Sequence, residues 1–134
     1  MNANAVQQEI TIPIMHCFDN NYVIPAAVSF YSMLENANKE YCYKLFVLHN
    51  DITYQSQIKL TQIVHGFPNA SIEFIDMTDS FKDIWESFQF IGHYSKEVLY
   101  KLLVPSIFPQ YDKLIITDVD VVFLGDISES FFSF

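Results

Sequence analysis

Two carboxylates, Asp118 and Asp120, stand one residue apart between the apolar runs 113–117 (KLIIT) and 121–124 (VVFL). A carboxylate beside a buried strand is costly to desolvate unless something compensates its charge. Hard oxygen ligands at positions i and i+2 can share one Mg2+ or Mn2+ ion while a diphosphate completes the shell. Alone, the same spacing also describes two solvated turn acids at a strand end. The flanking apolar runs tilt the reading toward a metal site.

A second cluster, Asp19-Asn20-Asn21-Tyr22, gathers oxygen acceptors, amides and an aromatic ring, which suits a uracil and its ribose. The competing reading is a helix N-cap followed by a core tyrosine. His16, His49, His65 and His93 show no ligand-like mutual spacing and read as structural. Cys17 beside His16 is not a nucleophile pair, because adjacent strand residues point to opposite faces. Trp85, Phe88, Phe90 and Tyr94 form an aromatic patch that reads as core cover.

What is missing sharpens the chemistry. The chain has three glycines, and neither G-x-G-x-x-G nor a P-loop can be written from them. Net charge is −9, and all seven basic residues are lysines. Clustered cations for neutralising a nucleic-acid backbone are absent, so nucleic acid is excluded as a partner. If phosphates are bound, a divalent metal is the obvious agent for reversing the local field.

The elements that must carry these residues follow from periodicity. Hydrophobic residues make up 51% of 134, enough for a packed core. Residues 1–9 read as a disordered tail. Residues 10–18 alternate as a first strand, with Pro13 tolerable only near its start. A helix at 24–36 turns Ala27, Phe30, Tyr31 and Leu34 inward. A strand at 43–49, a helix at 53–64 anchored by Ile58, Leu60 and Ile63, and a strand at 72–75 follow. Residues 76–92 read as a loop with a short helix. Residues 95–108 read as a helix ended by Pro105 and Pro109. Residues 113–117 and 121–124 read as strands. Alternating strands and helices predict an α/β fold with a mostly parallel sheet flanked by helices. Ligands in such sheets bind beyond the carboxyl ends of the strands. The two polar clusters lie after the first and fourth strands. Cys17 and Cys42 read as reduced thiols. No leader or spanning segment is visible, so the expected location is cytoplasmic.

Taken together, these segments resemble glycosyltransferase family 8, which includes glycogenin and bacterial lipopolysaccharide galactosyltransferases. Ile12-Pro13-Ile14 through Asp19-Asn20-Asn21-Tyr22-Val23 resembles the family's opening strand and uridine-binding turn, and residues 29–34 the helix after it. His93-Tyr94-Ser95 through Tyr100-Lys101-Leu102 and residues 113–126 resemble the approach to the D-x-D strand and that strand itself.

The resemblance implies the N-terminal portion of a GT-A-type nucleotide-diphospho-sugar transferase fold over residues 10–134. It implies a UDP-sugar donor, a Mn2+ or Mg2+ cofactor, and retaining hexosyl transfer to a saccharide or glycoconjugate acceptor, such as lipopolysaccharide or another cell-surface glycan. Asp118 and Asp120 would ligate the metal, with Asp118 also on the donor. Asp19 would contact the uracil, Tyr22 would stack on it, Asn21 would place the nucleoside, and Cys17 would contribute backbone contacts. Lys101 stands where the family commonly has Arg, keeping the charge but losing the planar fork. No catalytic residue is identifiable. Family members continue well past Phe134 and place a third metal ligand, usually His, and the acceptor residues there. The expectation is therefore a truncated chain, catalytically silent alone and prone to self-association through exposed apolar surface. A non-catalytic nucleotide-binding module and a structural α/β domain are the alternative readings.

Overall fold

The computed structural model describes residues 9–80 and 103–134. Strands β1 (Thr11–Cys17), β2 (Cys42–His49), β3 (Ala70–Asp76) and the two-residue β4 (Ile115–Ile116) form one sheet in the order β3-β2-β1-β4. Every pairing is parallel. A 3-10 turn (Asn20–Tyr22) leads into α1 (Val23–Asn36). Helix α2 (Tyr54–His65), the single turn α3 (Val104–Ile107) and α4 (Ile127–Phe132) follow in chain order. The α/β architecture expected from the alternation is the one observed. Among the described residues, no helix is long and apolar enough to cross a membrane.

The strand period of two distributes β1 between two cores. Ile12 and Ile14 join Phe30, Met33, Leu45, Val47, Leu60 and Val64 on the face covered by α1 and α2. Met15 joins Phe46, Leu48, Met77, Val104 and Phe108 on the opposite face. Pro13 survives in this central strand for a backbone reason. The carbonyl of Met15 accepts from the Thr117 N–H at 3.2 Å, and that of Ile10 from Cys42 at 2.9 Å. Odd-numbered residues therefore aim their backbone groups at β4, whose pairing begins only at Ile14. The N–H that Pro13 lacks has no ladder partner to lose.

Several expectations are corrected. In α1 the buried face is Ala26, Ser29, Phe30, Met33 and Leu34, while Tyr31 is exposed. In α2 it is Leu60 and Val64, one turn apart, while Ile58 faces out. Of the proposed helix at 95–108, residues 95–102 lie outside the described residues. Pro105 lies in the first turn of α3, where a missing N–H is harmless. The segment at 121–124 is not a strand. It crosses α1, where Phe123 donates its N–H to Ser32 Oγ (3.0 Å) and accepts at its carbonyl from Asn36 Nδ2 (3.0 Å).

The last helix was not read from the sequence. Asp126 is its N-cap, accepting from Ser128 N (3.0 Å), Ser128 Oγ (2.8 Å) and Asn38 N (3.0 Å). Desolvation raises its carboxyl pKa, but those hydrogen bonds outweigh it and hold the group below the usual carboxylate range. The closing aromatics are only partly tied down, since the Phe134 ring is 98% exposed. Lys113 Nζ donates to the Phe134 carbonyl (2.9 Å) and lies 4.3 Å from the Phe131 ring centroid. Replacing Asp126 with Ala orphans three donors at once. Denaturant unfolding should show a loss of about 1–2 kcal/mol, while Asp126→Asn, which keeps an acceptor, loses less.

His16 is one of the polar residues taken into the core. It is fully buried beside Val47, with its ring centroid 4.6 Å from that of Phe30. Burial pushes its pKa down to about 3, and the nearby Thr117 backbone only partly offsets this. Neither ring nitrogen reaches a hydrogen bond of ordinary geometry. The imidazole is therefore neutral and structural.

Candidate functional site

The strand order reverses between β1 and β4. The chain leaves β1 toward β2 and β3, then returns to the other side of β1 for β4. In open parallel sheets, a crevice opens beyond the carboxyl ends of the two strands at such a switch. Here the segments after Cys17 and after Ile116 leave the sheet at that switch point. The two polar clusters separated by a hundred residues are thus brought to one end of adjacent strands.

After β4, Thr117 makes the last backbone contact with β1. Val119 is buried at 6% exposure in the α1-side core. Asp118 and Asp120 on either side of it are exposed. One apolar anchor thus holds both acids toward solvent at i and i+2. Among the described residues, no third His, Cys, Asp or Glu gathers with them into a ready-made metal cage.

After β1, Asp19 has an extended backbone (φ −98°, ψ 175°) and caps the 3-10 turn. Its Oδ1 accepts from the Asn21 N–H at 2.8 Å, and its carbonyl from the Tyr22 N–H at 3.0 Å. The capping reading of Asp19 is therefore correct, but the core reading of Tyr22 is not. The Tyr22 ring is 47% exposed. Asn21 is exposed and Cys17 half-buried at the strand end. Lys101 and the aromatic patch 85–94 lie outside the described residues.

Sequence reasoning missed the loop that braces this turn. Asn20 donates its N–H to Asp51 Oδ1 (3.1 Å) and accepts at its own Oδ1 from the Thr53 N–H (3.2 Å). Thr53 is the N-cap of α2, its Oγ1 accepting from Ser56 N at 3.2 Å. His49 is 4% exposed, and its Nδ1 accepts from the Ile52 N–H at 3.1 Å. Burial lowers the His49 pKa against the opposing pull of Asp76 and Asp51. The only local signal was Thr53 placed three residues before Ser56 at the start of a helix.

A groove of about 590 Å³ lined by Tyr54, Gln57, Ile58, Gln62, His65 and Phe74 lies elsewhere, along α2 and the β3 edge. The residues after β1 and β4 contribute nothing to it.

Comparison with known proteins places the chain in a family. Residues 13–132 match the family model described as glycosyl transferase family 8. General stress protein A of Bacillus subtilis is 29% identical over 119 residues, covering 87% of this chain and 40% of that protein. The apo structure of the WbbM bifunctional glycosyltransferase superposes with a TM-score of 0.75 at 27% identity, covering 96% of this chain and 22% of that one. The galactosyltransferase LgtC, solved with donor and acceptor sugar analogues, superposes with a TM-score of 0.65, covering 89% and 41%. Its 18% identity speaks to the fold alone. Mouse xyloside xylosyltransferase 1 does the same with a TM-score of 0.63 at 14% identity, covering 91% and 47%. The chain thus spans less than half the length of each of these relatives.

Proposed function

Because the chain belongs to glycosyl transferase family 8, we propose that its β1–β4 crevice binds a UDP-sugar, and that the whole protein transfers the hexosyl group to a saccharide or glycoconjugate hydroxyl. The observation that carries the reading is the juxtaposition of the Asp19–Tyr22 turn and the Asp118–Asp120 pair at the switch point of a parallel sheet. In that transfer the bond from the anomeric carbon to the UDP oxygen breaks and one to the acceptor oxygen forms. UDP leaves with the bonding electrons, and the acceptor hydroxyl gives up its proton. Retention of configuration is part of the proposal and rests on the family resemblance.

The assignment of roles follows the placement. The exposed Tyr22 ring is available to stack on a base. Asn21 and Asp19 lie beside it with amide and carboxylate atoms for the nucleoside. Asp118 and Asp120 present hard carboxylate oxygens on the solvent side of one buried anchor, which fits two positions in the shell of Mn2+ or Mg2+. Bound there, such an ion would neutralise charge on the departing diphosphate. The chain's own net charge of −9 makes that compensation necessary.

Calorimetric titration of the chain with UDP should show binding in Mn2+ that EDTA removes. Equal affinity with and without metal would refute the metal-bridged reading. Absence of UDP binding under both conditions would favour the structural α/β alternative.

A further inference from the structure

Resting on the donor-site reading above, we propose that Asp51 is a positioning residue for the nucleoside: it latches the Asp19–Tyr22 turn to the β2–α2 loop without itself touching the donor. The turn's internal hydrogen bonds, Asn21 N–H to Asp19 Oδ1 (2.8 Å) and Tyr22 N–H to the Asp19 carbonyl (3.0 Å), fix its shape. They do not fix where that shape sits relative to Asp118 and Asp120. Its covalent joins to β1 and α1 set its ends, and bonds to another element restrain it further.

Among the described residues two such bonds are made, and both run to the segment after β2. Asn20 gives its N–H to Asp51 Oδ1 at 3.1 Å and takes the Thr53 N–H on its own Oδ1 at 3.2 Å. The receiving loop is held at both ends. His49 and Ile52 are each 4% exposed and joined by the Ile52 N–H to His49 Nδ1 bond (3.1 Å). The His49 carbonyl accepts from Met77 N–H at 2.7 Å, tying the loop to the end of β3. At the other end Thr53 caps α2. The turn is thus referenced to a loop braced by buried side chains, while Asp51 itself is exposed and contributes little to the core. Two bonds spanning 31 and 33 residues of sequence tie the turn that carries Tyr22 to this loop.

The substitution Asp51→Ala removes one of the two bonds; Asp51→Asn removes the charge but keeps a carbonyl oxygen as acceptor. In Mn2+, Asp51→Ala should weaken UDP binding roughly tenfold, the scale of one hydrogen bond to a charged group. Asp51→Asn should bind within about threefold of wild type or tighter, since it restores the geometry and also removes a negative charge near an anionic ligand. In the ligand-free chain, hydrogen exchange at the Asn20 amide should accelerate in the Ala variant, while melting temperatures stay together. Equal UDP affinity in wild type and Asp51→Ala would overturn the latch and leave the donor site standing. Asparagine as weak as alanine would also overturn it, since charge rather than placement would then matter. If wild type itself binds no UDP, the donor-site reading fails. Unchanged exchange at Asn20 would then sink the latch separately.

Discussion

Lowering the pH from 7 to 4.5 is expected to cost the wild-type fold roughly 2–3 kcal/mol more than it costs a His16→Leu variant. The cause is the buried imidazole. In the unfolded chain His16 takes up its proton near the ordinary value of 6.5, whereas in the folded chain burial holds it to about 3. Between those values the unfolded state binds more protons than the native state, so stability falls as the pH falls. The contribution is complete above 6.5 and lost progressively down to about 3. Other groups titrate over the same range. The lowered carboxyls of Asp76 and Asp126 lose stabilising hydrogen bonds in acid, and relief of the net charge of −9 acts the other way. These are common to both proteins and cancel in the difference. Leucine is close in volume and needs no hydrogen bond, so it fits the pocket against Phe30. Denaturant unfolding of both proteins at pH 7 and 4.5 gives the comparison directly. Parallel pH dependence would show that the imidazole is protonated in the fold.

Replacing either Asp118 or Asp120 with Asn should weaken UDP binding in Mn2+ at least about tenfold, or roughly 1.4 kcal/mol. The double variant should bind no better than wild type in EDTA. Asparagine keeps shape and one oxygen but removes the charge that a hard dication demands. Both side chains are exposed, so thermal melts without ligand should shift by no more than about 0.5 kcal/mol in stability. That separation matters because the buried Val119 lies between them, and a disturbance of the core there would register in the melt. Retention of metal-dependent UDP binding by the double variant would remove these residues from the proposed site.

Much of the scaffold was legible in the chain. The alternation at Ile10, Ile12 and Ile14, the run at 43–49 and the helical spacings after them located β1, α1, β2, α2 and β3 to within a residue or two of their ends. These signals are local: a period of two or 3.6 and a turn residue act within a few positions. The same logic placed polar clusters after the first and fourth strands, and four ordered segments pointed to the family. Where local signals were thin, the reading failed. The KLIIT run looked like a five-residue strand, but only Ile115 and Ile116 pair. The apolar run at 121–124 looked like another strand. Its backbone groups instead found Ser32 and Asn36 on α1, partners that no local pattern could announce.

By itself, the sequence determined the types of the first five elements, the parallel α/β class, the absence of glycine-based phosphate loops and the residues with chemistry to offer. The tertiary structure alone decided how they meet. Sheet order β3-β2-β1-β4 set Asp19 and Asp118 after the same ends of adjacent parallel strands, although about a hundred residues separate them. Which face each helix buried followed from what lay opposite, so Tyr22 and Tyr31 stayed out while His16 was taken in. The turn at Asn20 was tied to Asp51 and Thr53 only because β1 and β2 run parallel and end together. Periodicity along a chain fixes the direction in which a side chain leaves its own element. What it encounters there depends on elements brought together from elsewhere, and that encounter is set by packing the whole core at once.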